Sequence, residues 1–104
     1  MIPLISNDIK IILGKLGAWP CDFGAETAMA LYHVATKHLA HNGTVVDLTP
    51  SGGKSTVILS AAAFRNGAKV VSLIDKKAIR PVEELWFNRA YKTFKLKDTC
   101  IAAE

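Results

Sequence analysis

The sequence predicts an α/β fold, a parallel sheet of about three strands with flanking helices, preceded by one or two helices. Two short β-branched runs, residues 44–48 and 69–74, are too short and too uniformly apolar for helices. Amphipathic patterns with glycine or asparagine stops separate and follow them. Strands that alternate with helices require right-handed crossovers and hence a parallel sheet, half of a doubly wound fold.

Each element has its own signal. Ser6 or Asn7 can cap a first helix with Ile9, Ile12, Leu13 and Leu16 on one side, and Gly17 is placed to end it. Trp19-Pro20-Cys21-Asp22 reads as a turn. A second helix over residues 25–41 carries the stripe Ala28, Leu31, Tyr32, Ala35 and Leu39, stopped by Asn42-Gly43. Residues 44–48 read as a strand buried on both faces. The next helix, 55–65, turns Val57, Ile58, Ala61 and Phe64 inward and closes at Asn66-Gly67. Residues 69–74 form a second buried strand that ends in Asp75. Pro81 suits the first turn of a helix whose buried face is Val82, Leu85, Trp86, Ala90 and Phe94. Residues 99–103 form a third short strand. The 104 residues fit one domain, with 1–20 as an N-terminal helical extension.

Composition narrows the function classes. Half of the residues are hydrophobic and 21% are charged, as in a globular chain. No apolar run reaches the roughly 20 residues that span a bilayer, and the N-terminus lacks a signal-peptide pattern, so a cytoplasmic location without membrane contact is expected. Cys21 and Cys100 form no CxxC pair and read as free thiols, with Cys100 a small core residue. With His33, His38 and His41 as the only histidines, no metal site is expected. The net charge is +4, concentrated late at Lys69, Lys76, Lys77, Arg80, Arg89, Lys92, Lys95 and Lys97. No stacking aromatics interleave with these side chains, so nucleic-acid binding is not supported and a solvated rim is expected.

The loop between the first strand and its helix carries the chemistry. One reading is a phosphate loop, since Gly53-Lys54-Ser55 ends the pattern G-x-x-x-x-G-K-[ST]; Leu48, however, stands where that pattern has its first glycine. The other is recognition of a nucleoside, in which the glycines admit a ligand to the backbone and an acid after the next strand binds the ribose. Asp75 follows Gly53 by about 20 residues, the spacing that pattern has. Asp47 is read equally well as a ligand contact or as a cap on nearby loop N–H groups.

Val46-Asp-Leu-Thr-Pro-Ser-Gly-Gly-Lys-Ser-Thr56 resembles the cofactor loop of class I S-adenosylmethionine-dependent methyltransferases. It is closest to the branch that runs acid, apolar, Gly, Ser, two variable residues, Gly, basic, Ser, Thr. Val70-Val-Ser-Leu-Ile-Asp75 resembles the second strand with its ribose-binding acid, and Phe87-Asn88 resembles a phenylalanine-asparagine region of the following helix. The resemblance covers residues 21–104, the cofactor-binding half alone. Thr49 stands where that branch has its first glycine, and Pro50 stiffens the loop.

The resemblance implies S-adenosylmethionine as cofactor, held by Asp47, Thr49, Ser51, Gly52, Gly53, Ser55 and Asp75, and it identifies no catalytic residue. The strands that carry substrate contacts in that family have no counterpart here. Methyl transfer would therefore need a dimer or partner to complete the site, and a homodimer or other homo-oligomer is expected. In that family the first strand is central, so here it would stand as an uncovered edge, a reason for two copies to associate. The alternative is a non-catalytic oligomeric binding or structural protein.

Overall fold

A computed structural model describes residues 9–16, 24–48 and 52–103. The elements run α1 (Ile9–Leu16), α2 (Ala25–His38), β1 (Thr44–Asp47), α3 (Lys54–Asn66), β2 (Lys69–Leu73), α4 (Pro81–Thr93), a 3-10 turn at Leu96–Asp98, and β3 (Cys100–Ala103). The three strands are parallel in the order β1-β2-β3. Val45 aligns with Val70, and Val70 with Cys100. The α/β class, the parallel sheet and the helices ahead of β1 agree with the expectation from sequence.

Both crossovers advance the sheet in the same direction. Right-handed connections then place α3 and α4 on the same face. That face buries Val70, Ser72 and Cys100 against Val57, Ile58, Phe94 and Leu96. α2 packs alongside α3, and α1 also rests on α3 with Ile12 in the core. The N-terminal helix therefore belongs to the helical layer. The turns at Gly17 and at residues 19–22 lie outside the described residues.

The opposite sheet face corrects the expectation of strands buried on both sides. Val46 is 49% exposed and Ile101 58% exposed, with Leu48 and Leu73 also open to solvent. These β-branched runs reflect strand propensity, and only alternate residues enter the core.

Two helix faces also differ from the sequence reading. α4 buries Phe87, Ala90 and Phe94, while Val82 and Leu85 stay exposed. α4 meets α3 on the side of Phe87 and Ala90, where Gly53 allows close approach. On α3, Phe64 lies beyond the core edge and is 41% exposed. The stripe on α2 is as expected, with Ala28 and Tyr32 buried and Leu31, Ala35 and Leu39 packed against them.

Helix ends are specified locally. α3 closes in a Schellman motif: Gly67 adopts φ 66°, its N–H reaches Phe64 O, and Ala68 N–H reaches Ala63 O at 2.7 Å. α2 ends at His38, earlier than the sequence suggests. Asn66 donates to the carbonyls of Thr36 and Leu39 at 2.7 and 2.9 Å and so satisfies that terminus. Asn42, at φ 62°, then turns the chain into β1.

Candidate functional site

Ligands of open parallel sheets bind outside the C-terminal ends of the strands. There the chain forms an open depression of about 760 Å3, lined by Leu48, Leu73, Ile74, Asp75, Lys76 and Lys77. Its floor is apolar and its rim is charged. Asp75 holds the rim loop: its Oδ1 accepts the Lys77 N–H at 2.9 Å, and its carbonyl accepts from Ala78 and Ile79. Its other carboxylate oxygen has no hydrogen bond among the described residues. Lys76 is paired with Glu84 in the first turn of α4. Glu83 accepts the N–H of Arg80 at 3.0 Å and ties the end of the loop to the same helix.

Asp47 occupies a different environment. It is 7% exposed, on the helix-facing side of β1, and its Oδ2 accepts the hydroxyls of Ser55 at 2.8 Å and Thr56 at 3.0 Å. Thr56 is also 2.9 Å from Ser72 Oγ, and Ser72 lies 3.7 Å from Cys100 Sγ. A polar chain therefore runs beneath α3 from β1 through β2 to β3. These contacts tie Asp47 to the first turn of α3.

Burial pushes the Cys100 thiol above its ordinary pKa; hydrogen bonding from Ser72 and Ser60 opposes the shift, and the charge of Asp47 adds to it. Ser60 is itself fully buried, and its hydroxyl makes no hydrogen bond among the described residues, so its influence on Cys100 is the weaker of the two. Tyr91 closes the far end by donating to Cys100 O at 2.6 Å. Its phenol is raised by burial first, then by Cys100 and Asp98.

The glycine loop also has an internal role. Gly53 adopts φ 89° as the N-cap of α3. A Cβ there would lie 3.0 Å from Ala90 Cβ and 3.1 Å from Phe87 Cα. Gly53 is therefore required by left-handed backbone and by the close approach of α4. Gly52, Gly53 and Lys54 are all buried.

The residues expected to hold a cofactor thus fall into two groups. Asp75 lines the depression. Asp47 and the half-buried Ser55 are hydrogen-bonded to each other, and Gly53 lies against α4, with Gly52 buried before it. Thr49 and Ser51 fall outside the described residues. Sequence reasoning missed Thr56, Ser72, Leu48 and Leu73. Thr56 carried a signal as the last residue of the basic-Ser-Thr motif, and Ser72 as a hydroxyl inside an otherwise apolar strand.

His33, His38 and His41 are exposed on or just after α2, away from the C-terminal ends of the strands; His41 Nδ1 lies 3.1 Å from Asn66 O. Among the described residues no group of His, Cys, Asp and Glu could hold a metal ion. No described helix is long and apolar enough to cross a membrane. The sequence matches no protein-family model and no curated protein.

Proposed function

We propose that this chain is a Rossmann-like half that binds a nucleoside-type ligand at the C-terminal ends of β1 and β2, with S-adenosylmethionine as the first candidate. The observation that carries this reading is the depression itself. An apolar floor of Leu48, Leu73 and Ile74 suits a purine, and Asp75 on the wall offers a carboxylate oxygen to a ribose hydroxyl. Asp47 and Ser55 would act indirectly, by fixing the start of α3 beside the site. When bound, adenosylmethionine supplies an electrophilic methyl group. Transfer would need an acceptor site built by a second copy or a partner, because the depression is open to solvent and its lining leaves no second wall for an acceptor among the described residues. A homo-oligomer is part of this proposal, motivated by β1 standing at the edge of the sheet among the described residues.

A second reading keeps the fold and drops the cofactor. It is favoured by Gly53, whose conformation packing against α4 already accounts for. Calorimetric titration with S-adenosylmethionine, S-adenosylhomocysteine and ATP separates the readings. Asp75→Asn is the informative variant, since an amide oxygen can still accept from Lys77 while the charge is lost. Binding of both sulfur ligands, weakened about tenfold in Asp75→Asn, supports the first reading. Absence of heat from both removes it in favour of the second.

A further inference from the structure

Charge is divided along the strand axis. Helices that connect parallel strands run back against them, so helix C-terminal ends gather where the strands begin. Asn66 at the end of α3 binds carbonyls at the end of α2, and Asn42 N–H reaches Gly67 O. Lys69 Nζ lies 3.5 Å from Asp98 O, which joins the start of β2 to the turn after α4. Lys37, Arg65, Lys69, Lys92, Lys95 and Lys97 are all exposed at this end. Asp98 is the one acid there among the described residues, and none of the six cations forms an ion pair with them. At the opposite end, Lys76 and Arg80 are paired with Glu84 and Glu83.

Helix dipoles account for part of this excess. Lys37, Arg65 and Lys92 lie in the last turns of α2, α3 and α4, where the carbonyls carry about half a negative charge per helix. About three to four positive charges remain when those carbonyls and Asp98 are set against the six cations. Lys69, Lys95 and Lys97 lie outside the α-helices. Lys95 follows the C-cap of α4 at φ 51°, left-handed backbone where glycine or asparagine is the usual residue. Local folding therefore does not account for a lysine there.

We propose that this basic end binds the phosphate backbone of a nucleic acid. Five of the six cations are lysine, which protein interfaces deplete and which meets phosphate as a point charge. The end is built from helix and strand termini, not from the side of an amphipathic helix that lies in a bilayer surface. Phe64, 41% exposed in the same turn as Arg65, offers an aromatic face to a base. Scattered along the sequence between Lys37 and Lys97, these residues suggest a solvated rim; the fold gathers them at one end. The site lies at the far end of the strands from the depression and is independent of the ligand proposed there.

Fluorescence anisotropy tests this with the full chain, a labelled oligouridylate and a labelled DNA duplex over a salt series. A dissociation constant on the order of 1–100 µM near physiological salt is expected, with a log–log salt slope of about −2 to −4. The tighter of the two probes identifies the source of the phosphates. Lys69→Gln combined with Lys97→Gln should weaken binding at least about fivefold and flatten the slope by about 1.5. Lys95→Gly should weaken binding while its urea midpoint stays at or above that of the unmodified chain, a pairing that a structural role for Lys95 does not give. Arg80→Gln at the opposite end should leave binding unchanged. Absence of binding at low salt overturns the proposal, as does a loss in Arg80→Gln that the double variant does not show. Displacement by poly-glutamate or by phosphatidylserine vesicles at lower charge concentration than by unlabelled oligonucleotide also overturns it.

Discussion

The two faces of the three-stranded sheet are made from the same short stretches of sequence and behave in opposite ways. The helix-facing side interlocks an apolar core with a chain of polar groups, Asp47, Thr56, Ser72 and Cys100, that reaches all three strands. The other side presents Val46, Leu73 and Ile101 to solvent. The difference follows from topology: two crossovers that advance the sheet in one direction place their helices on one face. A run such as Thr44-Val-Val-Asp47 therefore has strand propensity throughout but core value only at alternate residues.

Substitutions on the two faces should separate by several kcal/mol. Phe87→Ala empties the buried side of α4 and should cost about 3–5 kcal/mol in urea denaturation. Gly53→Ala forces a Cβ into left-handed backbone and against α4, for a loss of about 2–4 kcal/mol. Gly67→Ala should cost about 1 kcal/mol. Its Cβ would meet only the ring of exposed His41, which can swing away. On the open face, Ile101→Thr should change stability by no more than about 0.5 kcal/mol. A large loss there would mean that this face is covered in solution.

The polar chain gives the comparison a pH dependence. The raised Cys100 thiol keeps its proton in the folded state at pH values where the unfolded chain releases it. Its contribution to stability is complete below the ordinary thiol value and is lost as pH rises through the raised folded value. Tyr91, raised in the same sense, adds a further loss at higher pH. In Cys100→Ala, the earlier part of this alkaline loss should disappear from urea midpoints measured across the range.

Period and punctuation made much of the fold legible. The alternation of elements, Pro81 at the start of α4 and Gly67 at the end of α3 all stand where sequence places them. The buried face of α4 was legible in part: Ala90 and Phe94 are buried as read, but the helix has two apolar stripes and only tertiary packing chooses Phe87 over Leu85. The site was legible in part. Asp75 reaches the depression, as its position after a strand suggests. Asp47 and Ser55, each read as a cofactor contact, are hydrogen-bonded to each other. Gly53 has the residue type that a cofactor loop needs, and also the type that a neighbouring helix needs. Sequence alone does not separate these two demands.

The most direct test of ligand binding at the strand ends is a 15N-resolved NMR titration with S-adenosylhomocysteine, which reports position as well as affinity. The account predicts shifts concentrated at Leu48 and at residues 73–77, saturable and weakened in Asp75→Asn, with Val71 and Ile101 on the open face unmoved. Unchanged spectra at saturating ligand, or shifts confined to Val46, Val71 and Ile101 or to α4, would contradict it.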